Sequence, residues 1–572
     1  MSFRNKGRTA AAFLAMLICV ACGQIYRPVV IPINNIPPNP GDFHAVFSLN
    51  TNAYYGLDPS PTLVYGAGSA MQIDVGGDTD LGIATLVDGT VSGANPTHAV
   101  SLPNFSRVFV ASAGSALALL PCAPPAPCPT GLDAISSFVP STQSSTSSGI
   151  GAAIVVSYPN LLPNPTLNSP PLFCPYLPDF VAASQNTTVY VANYGVENLS
   201  PGCNISSTDS ITVVNATNSV ITQIVYAAPG SSTVPPIVLS HPVAMAQVLT
   251  PNGNKLYVLN QGNNTIASLY TVDMTSTTTT GTVAGFSGMS PVWVTARGDG
   301  QQVYVLSQGD GQLWTINAAT DTVIGNVSVG VGANYVLYDP NLNRLYVTNP
   351  NNSTAYIFSV AGSLPSLLNS IVLGSGATGN YPACVNPCPT SVAALPDGSE
   401  SYIASYQLAG AACTDPNFTS PTAAAPVSAC AVSASVTVLN ALSTTVTSTI
   451  SAFPSSTPSF PEVANCIPAN AQGSYTPGLV PLVPTPSSGP TSRFAARFRV
   501  SAVAAADSTR VYVSVCDAGS VAIINTTDGN TNNPGQNIPD DTLVLDLATP
   551  FGIGTPSNSL PQQNPILLFR GQ

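Results

Sequence analysis

Gln302-Val-Tyr-Val-Leu-Ser307 and, 42 residues on, Arg344-Leu-Tyr-Val-Thr-Asn349 are two copies of one short strand. In each, an aromatic residue sits between two apolar ones and a small polar residue closes the run. A continuous apolar run of this length implies a strand covered on both faces. Neither run carries the proline that would mark a strand at a sheet edge. The pattern returns as Arg107-Val-Phe-Val-Ala-Ser112, Thr188-Val-Tyr-Val-Ala-Asn193, Lys255-Leu-Tyr-Val-Leu-Asn260, Glu400-Ser-Tyr-Ile-Ala-Ser405 and Arg510-Val-Tyr-Val-Ser-Val515, seven copies in all. Its aromatics are Phe109, Tyr190, Tyr257, Tyr304, Tyr346, Tyr402 and Tyr512.

An apolar strand and a tight turn precede the motif, as in Val248-Leu-Thr-Pro-Asn-Gly-Asn254 and Val392-Ala-Ala-Leu-Pro-Asp-Gly398. Proline presets φ for such a turn, and glycine supplies a left-handed residue. Alternating strands follow, such as Gln312-Leu-Trp-Thr-Ile-Asn317 and Val323-Ile-Gly-Asn-Val-Ser-Val329. An Asn at a strand end can bond its own backbone and close the hairpin. Four short antiparallel strands cannot bury both faces alone, but arranged radially each sheet packs on the next. The shortest motif spacings, 42 and 47 residues, match the ~40–45-residue period of propeller blades.

The strand Tyr346-Val-Thr-Asn349, residues 320–329 and Pro396-Asp397-Gly398 together resemble the YVTN-type β-propeller repeat of bacterial and archaeal surface proteins. The resemblance covers roughly residues 95–550 and is clearest over 240–360; Phe109 and Val515 depart from the motif's Tyr and Asn. The expected fold is all-β: a propeller of four-stranded antiparallel blades with Pro/Ser/Cys-rich loop insertions near 114–180, 406–435 and 453–497, the propeller as a whole spanning 43–572. Seven motifs point to seven blades. Residues 43–50, 62–66, 70–75 and 81–86 could supply four more strands, which would form an eighth blade or extend the sheet containing 521–525 and 542–547.

Charged residues make up 7% of the chain, with 13 Lys or Arg against 25 Asp or Glu and a net charge of −12. That balance excludes a basic footprint for nucleic acid. Near-absence of Lys and Glu on the surface also argues against a long helical bundle. With hydrophobic residues at 44%, the chain can still bury a core.

The first segment reads as an address. Arg4, Lys6 and Arg8 precede an apolar run from Thr9 to Val20, too short to span a bilayer permanently. Cys19-Val20-Ala21-Cys22 resembles a bacterial lipobox, which implies a signal peptide over 1–21 and a lipid on Cys22; Cys19 stands where that pattern usually has Leu, and simple cleavage after Ala21 is the alternative. Cysteine parity favours lipid: of 12 Cys, setting aside Cys19 and Cys22 leaves an even ten. Residues 22–42, with Pro-Pro-Asn-Pro, read as a semi-rigid tether. The implied location is outside the cytoplasm, anchored to the outer membrane or cell surface.

The ten are Cys122, Cys128, Cys174, Cys203, Cys384, Cys388, Cys413, Cys430, Cys466 and Cys516. In an oxidising compartment they are expected as five disulfides, and pairing of sequence neighbours is the simplest scheme. Cys384-Val-Asn-Pro-Cys388 has a spacing that zinc sites also use, but no His is near in sequence. No metal and no cofactor are expected.

The sequence contains no G-x-S-x-G, H-E-x-x-H or P-loop. Gly374-Ser-Gly-Ala-Thr-Gly379 matches a dinucleotide fingerprint, but Asn380-Tyr-Pro-Ala-Cys384 follows it in place of a helix, so it reads as a turn. Arg297-Gly298-Asp299 resembles an adhesion tripeptide in a strand-to-strand turn. His98 and His241-Pro242 fall at the starts of inner strands and are the candidate channel ligands, against the plainer role of filling the channel. Trp293 and Trp314 read as packing residues between blades.

Two functions follow as expectations. The first is a monomeric, lipid-anchored binding or scaffold module for an unidentified protein or glycan. The second, implied by propellers of similar blade pattern that are lactonases or related ring-opening enzymes, is an enzyme with a site at the channel mouth.

Overall fold

The computed structural model describes residues 45–55, 63–75, 78–88, 91–92, 96–112, 133–141, 150–158, 176–183, 185–195, 208–226, 239–250, 253–271, 280–374, 384–409, 431–453, 499–527, 541–548 and 563–571. They form eight four-stranded antiparallel sheets. Blade 5 is typical: Pro291–Ala296, Gln302–Ser307, Gln312–Asn317 and Thr322–Ser328 pair in that order from inner to outer strand. The inner strands of successive blades contact one another, and the last, Asn564–Arg570, contacts both Val500–Ala504 of blade 8 and Pro96–Ser101 of blade 2. The blades therefore close into a ring.

The count is eight, where seven motifs had pointed to seven. Blade 1 consists of Asn564–Arg570, Ala45–Tyr55, Leu63–Asp74 and Thr79–Thr85. Its second strand holds Val46-Phe47-Ser48-Leu49-Asn50 in the motif's register, with Phe47 in place of tyrosine. Residues 62–66 and 70–75, expected as separate strands, belong to the one strand Leu63–Asp74. The inner strand comes instead from residues 564–570. Pairing first and last segments covers the inner edge of Ala45–Tyr55.

Every motif aromatic lies on the second strand of its blade and faces the next sheet. Tyr304 packs with Val336, Val347 and Phe358 of blade 6, whereas its neighbours Val303 and Val305 face blade 4. Tyr346 packs against Val392 and Ile403 of blade 7, and Phe47 against Val108, Val110 and Phe138 of blade 2. Tyr304 and Tyr346 are 0% and 1% exposed, as two-sided cover requires. The terminal asparagine works locally: Asn349 Nδ2 donates to the carbonyls of Val329 and Gly330 at 2.8 and 2.9 Å, fastening the entry to its own blade.

A polar latch joins neighbouring blades at the turn between third and fourth strands. In blade 5, Asn317 Oδ1 accepts the Ala319 amide, and Asp321 adopts φ +53. From blade 4, Lys255 Nζ donates to Asp321 Oδ2 at 2.9 Å and Tyr257 Oη to Asp321 Oδ1 at 2.6 Å. Tyr402 meets Asp541 at 2.9 Å, and Arg510 meets Asp78 at 3.0 Å across the ring closure. Asp78 and Asp541 are left-handed too, at φ +51 and +55. The motif's first residue and its tyrosine thus reach the same turn of the following blade.

Outer strands are guarded by shape. In six blades the pairing of the third and fourth strands shifts by one residue at the same place, for example between Thr315 and Ile316 in blade 5. A bulge at an exposed edge discourages pairing with another chain without needing charge, consistent with a chain so poor in lysine.

The antiparallel order gives the propeller two unlike ends. Turns at one end are short, such as 297–301, 318–321, 395–399 and 441–444, with longer third-to-fourth connections at 139–153 and 526–541. The other end receives the second-to-third connections and those between blades, including 113–133, 158–177, 194–209, 227–241, 410–430 and 451–499. We call this the loop end. Cys384 and Cys388 form a disulfide there, at the entry to blade 7, and Cys516 at the end of Arg510–Val515 is also disulfide-bonded. Cys22, the signal segment, the tether and Cys122, Cys128, Cys174, Cys203, Cys413, Cys430 and Cys466 lie outside the described residues. By chain position, all ten candidate disulfide cysteines belong to the connections or strand starts of the loop end. The interval 114–180, read as an insertion, contains the blade 2 strands Ala134–Phe138 and Ile154–Ser157.

Candidate functional site

The inner strands begin with a shared local event. Pro96 pairs with Ser112 but His98 pairs with Ala111, so Thr97 bulges out of the ladder. The same shift follows Pro178, Pro242, Pro291, Pro389 and Pro565. Proline lacks the amide that would continue the ladder, and the bulge re-aims the next side chain. Thr97 then donates to the Pro178 carbonyl at 2.9 Å, and Thr390 to that of Val500 at 2.6 Å, tying inner strands together. The following residues, His98, Phe180, Ala244, Trp293, Ser391 and Leu567, occupy one register level. Tyr335 and Ser501 share that level in blades 6 and 8 without a bulge.

Rings from this level meet across the channel. The His98 imidazole stacks on Phe180 with centroids 3.9 Å apart and meets Trp293 edge-on at 6.5 Å. Trp293 also contacts Phe180 at 5.8 Å and Tyr335 at 5.0 Å. Blades 2 and 5 are not neighbours, so the His98–Trp293 contact spans the central axis. Beside this cluster is a cavity of about 180 Å³ lined by His98, Trp293, Tyr335, Ser391, Ser501, Leu567 and Phe569, among others. Burial pushes the Tyr335 phenol up to about 12, with a hydrogen bond to Ser391 pulling the other way; it is therefore a neutral hydroxyl near pH 7. Ser391 Oγ accepts from the Ala502 amide at 3.1 Å, and Ser501 Oγ from the Leu568 amide at 3.2 Å.

His241 does not share this place. It stands one residue before its proline, whereas His98 stands two after, and it adopts φ +47. Its Nδ1 lies 2.9 Å from the Tyr194 carbonyl and 3.3 Å from Asp209 Oδ1, and its ring stacks on Tyr194 at 4.3 Å. Two further blades show the same latch in other chemistry. Leu177, at φ +50, donates its amide to Asp133 at 3.0 Å, and Ser290, at φ +55, donates its amide to Asn264 at 2.7 Å. His241 is one of a series that fixes the entry to an inner strand. The structure thus puts one of the two histidines in the channel and the other in an inter-blade joint.

Trp314 is buried between blades as expected, but Trp293 is a channel residue. Arg297 and Asp299 pair with each other at 2.7 Å, and the Arg297 guanidinium also reaches the Val360 carbonyl of the next blade. Among the described residues no three His, Cys, Asp or Glu side chains gather as a metal site. Sequence reading passed over Phe180, Trp293, Tyr335, Ser391 and Ser501 as channel residues. A legible signal existed for three of the channel rings, since Pro96-Thr-His98, Pro178-Asp-Phe180 and Pro291-Val-Trp293 share one spacing.

No family model matches the chain, and no curated protein matches it. Solved structures do. The periplasmic gluconolactonase PpgL of Pseudomonas aeruginosa is 13% identical over 72% of this chain and 96% of its own, with a TM-score of 0.40. Apo AztD from Citrobacter koseri is 9% identical over 92% and 99%, with a TM-score of 0.44. Kuenenia stuttgartiensis hydrazine synthase is 15% identical over 64% and 84%, with a TM-score of 0.37. The likeness is one of fold.

Proposed function

We propose that the protein is an exported YVTN-type propeller, held by lipid on Cys22 at the outer membrane or cell surface, and that it acts as a monomeric binding or scaffold module. Its loop end meets the ligand, a protein or a glycan of the envelope. The observation that carries this reading is the asymmetry of the ring. Most of the long connections, and all ten candidate disulfide cysteines by chain position, attach at one end. Connections extended on one face of a repeat fold, above a rigid scaffold, are the usual place for recognition. Disulfides there would lower the ordering cost of long connections on binding. The ring-opening alternative would draw on the channel. The described channel residues bring one imidazole together with aromatic rings and neutral hydroxyls, a chemistry that holds a ligand, while His241 and Asp209 are engaged with each other at a blade joint. Binding is therefore the reading we favour.

Two measurements test it. Mass spectrometry of the native protein should find an acylated N-terminal Cys22; an unmodified mature N-terminus would remove the anchor. The protein should then be screened against envelope glycans and proteins. Replacement of 410–430 or 454–498 by short linkers should abolish any hit, whereas altering the short turns at 318–321 or 441–444 should not. Binding that ignores the loop end would refute the proposal.

A further inference from the structure

We propose that the channel cavity is a binding site for a small neutral aromatic molecule bearing one hydrogen-bonding group, of phenol or indole size. The site lies inside the channel near the starts of the inner strands, and its test is separate from that of the loop-end surface. Size sets the first limit: about 180 Å³ is close to the ~150 Å³ of a protein cavity that takes up benzene. The walls set the second. Trp293 and Tyr335 present ring surfaces tilted by 54° with centroids 5.0 Å apart, and Phe569 and Leu567 complete an apolar lining. An aromatic guest can meet such faces edge-on or offset, the arrangements that aromatic pairs prefer.

Charge sets the third limit. The lining residues include no Asp, Glu, Lys or Arg, so an ionic guest would lose its hydration with no opposite charge in the walls to replace it. Of the polar lining groups, the Thr390 hydroxyl is committed to the Val500 carbonyl and the His98 ring is stacked on Phe180, and the Ser391 and Ser501 hydroxyls and the Tyr335 phenol also line the cavity. Ser501 Oγ accepts from the Leu568 amide, and as a hydroxyl it also carries one hydrogen to donate. The neutral Tyr335 phenol lies beside it across the Ser391 hydroxyl. A single hydroxyl or ring N–H on the guest matches this layout; a polyol of similar volume would bury several hydroxyls against apolar walls.

The sequence makes the test direct, because the chain holds two tryptophans, Trp293 in the cavity and Trp314 between blades. The protein is prepared with 5-fluorotryptophan at both positions, the two ¹⁹F signals are assigned with Trp314→Phe, and phenol is titrated in. The Trp293 signal should shift saturably with a dissociation constant of roughly 0.1–1 mM, reasonable for seven heavy atoms, while the Trp314 signal stays in place. Ser501→Ala should weaken binding about 5-fold, the value of one neutral hydrogen bond. Glucose should not displace phenol. Should Ser501→Ala fail to fold, the wild-type titration decides. No shift up to about 10 mM phenol, equal shifts of both signals, unchanged affinity in folded Ser501→Ala, or displacement by glucose would each overturn the proposal.

Discussion

Removal of the Asp321 carboxylate tests the idea that inter-blade latches carry a large share of the ring's stability. Lys255 is 1% exposed at its side chain and rests on Asp321 Oδ2 and the Ala318 carbonyl, each at 2.9 Å. Tyr257 shares the same carboxylate. Breaking a buried ion pair from one side leaves an uncompensated charge, at a cost of about 3–5 kcal/mol. Asp321 keeps 24% of its side chain exposed, so water softens the loss toward about 3 kcal/mol. The residue is left-handed at φ +53, which costs alanine roughly 1 kcal/mol more. Asp321→Ala should therefore cost about 4 kcal/mol in total. Asp321→Asn keeps an acceptor for Tyr257 and tolerates the backbone, so about 2–3 kcal/mol is expected. Adding Lys255→Met to Asp321→Asn removes the stranded charge and should recover most of that loss. The assay is urea unfolding followed by tryptophan fluorescence, since both tryptophans lie in blade 5, the blade that owns Asp321. A cost below about 1 kcal/mol for Asp321→Ala, or no rescue by Lys255→Met, would refute the reasoning.

Three further outcomes are expected. Tyr304→Ala and Phe47→Ala should each cost roughly 3–5 kcal/mol by urea titration, because each empties a buried aromatic site between blades; a Phe47 effect near zero would deny blade 1 its place in the ring. Truncation after residue 562 removes the inner strand Asn564–Arg570 of blade 1 and should yield an aggregating or unfolded product, which a synthetic peptide of that strand rescues in part. Burial raises the Asp133 carboxyl to about 7 despite amide bonds from Leu177 and Tyr176. Its folded value is above the unfolded one, so its contribution is fully present below about pH 4 and lost as pH rises through about 7. Asp133→Asn should flatten that part of a melting-temperature profile between pH 4 and 8, and an unchanged slope would count against the assignment.

Strand type and blade content were legible because their causes are local. Alternation in Gln302–Ser307, the aromatic between two apolar residues and the Pro-Asp-Gly turns each act within a few residues, so they survive being read one segment at a time. The hairpin asparagines worked as expected for the same reason: Asn317 and Asn440 accept amides two and three residues on. The eighth blade was ambiguous because its decisive pairing joins Val46 to Arg570, and nothing near either residue records the other. The channel depended on more again. Proline placed the bulge in six of the inner strands, but ring closure alone brings His98 of blade 2 to Trp293 of blade 5. His98 and His241 looked alike in sequence, each beside a proline at a strand start. A shift of three positions relative to that proline sends one ring to the axis and the other into a blade joint, because side-chain direction at a strand entry follows ladder register, which exists only once the strands have paired.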